Sequence, residues 1–239
     1  MNLTGGISWH WLAWRSQVRW TSTAQAIEQW LLHSAQVLPS KTNNEKPSLL
    51  LIGASAGWMM SSQWLSQFAC VDTYDIDPLA AYLFKWRHGA VLKAQGTTLN
   101  CHTQDALQNF SALLNAHPKA CVFFDNLLGQ MRFQHAANDW QLVEKKLKQF
   151  KVQLKGREWG SLHDRMSGRL SESIAADCAL PVRQADWHDQ RWLTELDAQS
   201  PWLDHLTHSV FPDGTKVQDF VWNFSPHYRH WLQAAWVRP

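Results

Sequence analysis

Leu49-Leu50-Leu51-Ile52-Gly53-Ala54-Ser55-Ala56-Gly57-Trp58 decides the fold. The aliphatic run from Leu49 to Ile52 has the length and make-up of a strand buried on both faces, as in a parallel sheet. Gly53 and Gly57 then enclose only small residues. Beyond them Met60, Trp64, Leu65 and Phe68 fall on one helical face, which predicts a helix from Trp58 to Phe68. Strand, small-residue turn and helix make the first half of a βαβ unit. Such a turn lets a ligand approach the backbone, and a helix N-terminus offers it free N–H groups.

The same alternation continues downstream. Residues 69–74 read as a second strand ending at Asp75-Ile76-Asp77-Pro78, and Pro78 suits the first turn of a helix with an apolar face of Leu79, Tyr82, Leu83 and Trp86. Residues 97–103 read as a weaker third strand. Asp105 can cap the helix that carries Leu107, Phe110, Leu113 and Leu114. Residues 120–124 are a buried fourth strand closed by Asp125-Asn126, and a helix over 136–150 follows. A fifth strand spans Trp159 to His163, then a loop from Asp164 to Gly168; residues 169–210 read as mixed helix and loop. Residues 217–224 and 231–237 read as two antiparallel strands joined through Ser225-Pro226. The expected fold is therefore α/β: a doubly wound, mostly parallel seven-stranded sheet with an antiparallel C-terminal hairpin. Upstream, residues 1–20 read as aromatic and irregular. Ser22 and Gln25 form a capping box for a helix over 24–34 with Ile27, Trp30, Leu31 and Ser34 on one face. Residues 1–46 are thus expected as an N-terminal helical cap, or lid, and linker, with residues 47–239 as the Rossmann-like domain.

Composition narrows the function classes. Hydrophobic residues are 45% and charged residues 18% of the chain, an ordinary globular balance, and the net charge of +2 argues against a strong electrostatic nucleic-acid binder. The basic run Lys145 to Lys151 follows the helix period and reads as a solvated face. Cys70, Cys101, Cys121 and Cys178 are far apart with no C-x-x-C pair, which suits buried free thiols in a reducing compartment. No signal peptide or membrane span is evident, so a cytoplasmic location is expected. His205-Leu206-Thr207-His208 with Asp204 is a weak metal pattern, since no third ligand is spaced to complete it.

In a doubly wound sheet the ligand lies beyond the carboxyl ends of the strands. Those ends carry Gly53 to Gly57, then Asp75 about 20 residues on, then Asp105, then Asp125-Asn126. A carboxylate at the second strand tip is placed to accept hydrogen bonds from two ribose hydroxyls. This pattern resembles the class I S-adenosylmethionine-dependent methyltransferases. Leu50 to Gly57 looks like their glycine-rich motif, Tyr74-Asp75-Ile76-Asp77-Pro78 like their acidic second-strand motif, Gln104-Asp105-Ala106 like the third, and Phe123-Phe124-Asp125-Asn126 like the fourth. The resemblance implies S-adenosylmethionine as cofactor and S-adenosylhomocysteine as product. Gly53, Ala54, Ser55, Ala56 and Gly57 would face the methionine part. Asp75 would meet the ribose hydroxyls, Asp105 and Ala106 the adenine, and Asp125 the sulfonium side and the substrate; Ile76 and Asn126 complete the implied cofactor-binding set.

There are departures. Ser55 stands where the middle glycine is usual, which is tolerable if its φ stays negative. Asp77 competes with Asp75 for the ribose. Asp125-Asn126-Leu127-Leu128 is not the Asp/Asn-Pro-Pro-aromatic motif of enzymes that methylate amino groups of bases or glutamine. The acceptor is unidentified; a small or aromatic molecule or a protein side chain is favoured over long nucleic acid. His163, Asp164 and His10 are the candidate proton acceptors, because a base is needed when the nucleophile carries a proton. Other classes stay open. Gly53-Ala54-Ser55-Ala56-Gly57 also fits the nucleophile elbow of an α/β-hydrolase, with Asp219 or Asp204 and His227 completing a triad. A nicotinamide dehydrogenase needs G-x-G-x-x-G, which Ser55 and Trp58 break. A non-catalytic binding module on the same fold is the remaining alternative.

Overall fold

The computed structural model describes residues 3–36, 46–134, 140–169, 183–184 and 202–239. The chain divides into two compact units, Met1–Asp125 and Asn126–Pro239.

The first unit holds four parallel strands: β1 (Ser48–Ile52), β2 (Cys70–Asp75), β3 (Thr98–Thr103) and β4 (Cys121–Asp125), in the order β3-β2-β1-β4. Leu49, Leu50 and Leu51 are fully buried, as a central parallel strand requires. After β3 the chain crosses to the far side of β1. The tips of β1 and β4 therefore flank a switch point, where an open α/β sheet receives its ligand.

The helices depart from expectation in instructive ways. Residues 1–20 are not irregular: α1 runs unbroken over Leu3–Gln36. The capping box is unused, and Thr21 donates its hydroxyl back to the Gln17 carbonyl at 2.9 Å. His10, Ala13, Ser16, Trp20, Thr23, Ile27 and Leu31 form a buried stripe at helical spacing, so α1 is part of the core along its length. After the glycine turn, α2 is only Ser62–Leu65, capped by Ser61. Residues 57–60 turn instead, with Met60 N–H donating to the Gly57 carbonyl. Trp64, Leu65 and Phe68 are fully buried all the same. Next comes α3 (Pro78–Ala94), which buries Ala80, Phe84, His88 and Leu92. Tyr82 and Trp86, on the expected face, are each 68% exposed. Both rows have helical spacing, so periodicity alone does not fix the phase. Helix α4 (Phe110–Ala116) starts after Asp105, which caps only the preceding turn by accepting from Leu107 N–H.

The second unit contains α5 (Leu127–Gln130), a 3₁₀ turn (Met131–Gln134), α6 (Trp140–Gln153), β5 (Trp159–Arg169), β6 (Arg183–Gln184), β7 (Trp202–Asp204), β8 (Lys216–Ser225) and β9 (Tyr228–Val237). All its pairings are antiparallel: β9 lies between β5 and β8, β7 pairs with β5, and β6 with β8. The expected terminal hairpin is β8–β9. The expected loop after His163 is instead strand, because β5 continues through Asp164 to Arg169 with a bulge between Asp164 and Met166. Seven of the strands among the described residues are five residues or longer; β6 and β7 are shorter. Most of the stretch 169–210 and Cys178 lie outside the described residues; Cys70, Cys101 and Cys121 form no disulfide with one another, and of these three only Cys121 is buried as expected. On α6, Val143 and Leu147 are buried while Lys145 and Lys148 face solvent. No described helix is long and apolar enough to cross a membrane.

Ile27 is fully buried in the α1 stripe. Ile27→Ala should therefore cost about 2–5 kcal/mol in urea unfolding. A cost below about 0.5 kcal/mol, as at surface positions, would mean that α1 is not part of the core.

Candidate functional site

The turn after β1 takes a left-handed path. Gly53 has φ 75°, Ser55 φ 47° and Gly57 φ 63°. The negative φ expected of Ser55 is thus not adopted. A non-glycine residue there is strained, and the strain is held by hydrogen bonds. Gly53 N–H donates to the Tyr74 carbonyl at 2.8 Å, and Gly57 N–H to the Ala54 carbonyl at 2.9 Å. Ser55 N–H donates to Asp75 Oδ2 at 2.8 Å, and Asp77 N–H to Asp75 Oδ1 at 2.9 Å. Asp75 therefore ties the turn to the β2 tip. Each of its oxygens keeps a second lone pair for a further donor. Burial raises its pKa above the ordinary value, against the lowering effect of those two backbone bonds.

Asp77 is occupied otherwise. Its Oδ1 caps α3 by accepting from Leu79 N–H at 2.9 Å, and its Oδ2 lies 3.2 Å from His10 Nε2. The competition between the two acids resolves in geometry: Asp75 faces the turn, Asp77 faces α1. Ile76 between them is 46% exposed, an apolar surface open beside the β2 tip.

Helix α1 lies against this turn. Trp9 Nε1 donates to Ser55 Oγ at 3.0 Å, and Trp58 Nε1 to His10 Nδ1 at 3.2 Å. An indole N–H only donates, so His10 Nδ1 is the acceptor and the proton sits on Nε2, toward Asp77. Both ring nitrogens of His10 are engaged within the protein. Gly6 makes the approach possible: a Cβ there would sit 2.4 Å from Asp77 Oδ2. On the other side of the turn, a Cβ on Gly57 would lie 2.5 Å from His88 Nε2. His88 donates or accepts through Nδ1 with Ser62 Oγ at 2.9 Å, and its buried Nε2 faces the Ala56–Gly57 backbone. Burial, and next the charge of Arg87, push the ring down to about 4, so it is neutral near pH 7. His88 escaped the sequence reading because it lies one helical row away from the face expected of α3.

Asp125 ends β4. Part of its surface still reaches solvent, but protein atoms crowd its carboxyl. This desolvation, with the charge of Asp75 second, pushes it up to about 8. Asp105 is exposed, with one oxygen on Leu107 N–H, and Ala106 next to it is buried.

The remaining expected site residues belong to the second unit. Asn126, at φ 52°, spends its amide on Asp164: Nδ2 donates to Oδ2 at 2.9 Å and Oδ1 accepts from Asp164 N–H at 2.9 Å. Its side chain is thereby committed within the unit. Asp164 is fully buried, with His230 Nδ1 at 2.8 Å from Oδ1 and Gln130 Nε2 at 3.4 Å from Oδ2. Burial would raise its pKa, but His230, His205 and Asn126 together hold it below the ordinary value. His163 is not at a strand tip. It is wholly buried inside β5, bonded to Ser161 and packed on Phe211, and burial pushes it down to about 3. It offers no accessible proton acceptor.

Of the residues of the hydrolase alternative, Ser55 Oγ accepts from Trp9 Nε1 within the first unit. Asp219 is buried and accepts from Gln233.

No family model and no curated protein matches this chain. Among solved structures it is similar to an S-adenosylmethionine-dependent methyltransferase from Anabaena variabilis ATCC 29413, at 12% identity, 96% of this chain and 94% of that one, TM-score 0.49. It is also similar to a putative RNA methyltransferase from Pyrococcus horikoshii, at 12% identity, 89% and 83% coverage, TM-score 0.44. A third is the magnesium protoporphyrin IX methyltransferase of Synechocystis PCC 6803 with bound S-adenosylmethionine, at 13% identity, 88% and 79% coverage, TM-score 0.42.

The Asp125 carboxyl sits near 8 in the folded chain against an ordinary 3.8. The folded protein thus holds this proton more tightly than the unfolded chain. The stability linked to it is complete below 3.8 and is lost as pH rises through about 8. Asp125→Asn, which has no proton to lose, should gain on wild type progressively between those limits in urea midpoints. A difference that stays constant across that window would contradict the shift.

Proposed function

We propose that the chain is an S-adenosylmethionine-dependent methyltransferase whose cofactor binds in the first unit, over the turn Gly53–Gly57. The observation that carries this reading is the Asp75 carboxylate. It anchors the left-handed turn through Ser55 N–H and retains acceptor capacity on both oxygens. A pair of vicinal ribose hydroxyls is the ligand group that such a carboxylate suits.

When bound, S-adenosylmethionine supplies an electrophilic methyl group and is left as S-adenosylhomocysteine. In this reading the protein supplies alignment. The small side chains of Ala54, Ser55 and Ala56 leave backbone accessible at the turn. The exposed Ile76 gives an apolar face for the adenine, and Asp105, with one oxygen uncommitted, gives an acceptor near Ala106. Asp125, held up near 8, releases its proton more readily once a cation lies beside it, so a sulfonium and the Asp125 anion favour each other. Trp9 and His10 form a wall of the site rather than a detachable lid, since α1 is built into the core. His10 orients Asp77 and Trp58, and neither it nor His163 is assigned as a base. The acceptor remains a small or aromatic molecule or a protein side chain, with the modest net charge disfavouring a long nucleic acid.

Calorimetry with S-adenosylmethionine and S-adenosylhomocysteine tests the reading. Wild type should bind both. Asp75→Asn should lose roughly 10–100-fold in affinity, the worth of one to two hydrogen bonds to a charged group, while its circular dichroism is unchanged. No binding by wild type refutes the cofactor; equal binding by the folded variant refutes the role of Asp75. Labelling of Ser55 by a fluorophosphonate would point to a hydrolase.

A further inference from the structure

We propose that Asp164, His205 and His230, in the second unit, form a binding site for one divalent ion of the zinc class. The inference is independent of the cofactor reading. These residues come from β5, from the turn after β7 and from β9, and each presents one ligand atom within 4.8 Å of the others. Two ligand atoms on one tetrahedral zinc lie about 3.4 Å apart, so the three atoms must converge by at most about 1.4 Å, shared between two side chains. The closest pair, Asp164 Oδ1 and His230 Nδ1, is already at 2.8 Å.

The atoms that would not touch the ion are held by others, as outer partners hold metal ligands. His205 Nδ1 lies 2.9 Å from the Gly129 carbonyl, which only accepts, so Nδ1 carries the proton and Nε2 presents its lone pair. Asp164 Oδ2 takes the Asn126 and Gln130 amides, leaving Oδ1 inward. Gly129 permits this close packing, because a Cβ there would meet Asp164 N and Asn126 Oδ1, each at 2.8 Å. The Ser167 hydroxyl lies 2.9 Å from His205 Nε2 and 3.0 Å from the Tyr228 hydroxyl, so an ion on Nε2 would take the place of the hydrogen bond from Ser167, whose hydroxyl can turn to Tyr228.

Chemistry selects the ion. Two borderline imidazole nitrogens with one hard carboxylate suit first-row divalent ions, zinc and ferrous iron among them; magnesium and calcium prefer oxygen alone, and copper(I) prefers sulfur. Asp164 and His205 are buried, while His230 is 14% exposed, which gives an entry side. The sequence pattern His205-Leu206-Thr207-His208 identified one true member, but its partners lie far along the chain rather than one turn away.

The test uses the full chain, stripped with chelator and dialysed against Zn²⁺ or Co²⁺. One zinc should remain per chain, Co²⁺ should give visible d–d bands typical of low coordination, and excess Mg²⁺ should displace neither. His230→Gln, at the partly exposed member, should weaken Zn²⁺ retention more than about tenfold with circular dichroism unchanged. His227→Ala, at an exposed histidine of the β8–β9 turn, should retain zinc as wild type does. Failure of wild type to retain zinc, or equal retention by folded His230→Gln, would overturn the site and leave a hydrogen-bonded cluster only.

Discussion

The first unit depends on where the Asp75 carboxylate points. Its two oxygens take the N–H groups of Ser55 and Asp77, so one side chain fixes the turn after β1 and the entry to α3 together. That anchor is one of the hydrogen bonds that hold Ser55 at a φ of 47°, with Trp9 on its hydroxyl. Burial raises the cost of the charge, and the two N–H groups offset it. A carboxylate so held is preorganised: a ligand that adds donors to it does not have to order it first.

Helix α1 follows from the same centre. Two glycines in its first turns cost about 1 kcal/mol each relative to alanine. Gly6 offsets this by letting the helix backbone approach Asp77 closely. Trp9, His10 and Trp58 then close a chain of donors and acceptors that ends on Ser55 and Asp77. The aromatic richness of the N-terminal segment thus divides into two parts. Trp9 and Trp20 stack at 6.0 Å on the packed side, whereas Trp11 and Trp14 are more than half exposed.

Much of this was legible in the sequence, for reasons that can be named. The run Leu49 to Ile52 is apolar on both faces, and only a central parallel strand buries it that way. Gly53, Asp75, Asp105 and Asp125 mark strand ends because turns at those ends need glycine or a side chain that caps. What stayed hidden depends on tertiary partners. The unbroken α1 contains glycines and a Thr-Ser-Thr run that local rules read as a boundary, and core contacts override them. The phase of α3 is set by His88 and Phe84 meeting Gly57, which no spacing announces. Strand β5 continues past His163 because polar Asp164 and Ser167 find partners in other elements. The Asp164–His205–His230 cluster gathers residues from three separate stretches, so no local motif contains it.

The most direct measurement is a crystal structure of the chain with S-adenosylhomocysteine. The ribose hydroxyls should lie within hydrogen-bond distance of Asp75, the ligand should cover the backbone of Gly53–Gly57, and Asp75 should keep its bond to Ser55 N–H. A ligand bound elsewhere, or a ribose that leaves Asp75 untouched, would contradict the placement of the cofactor.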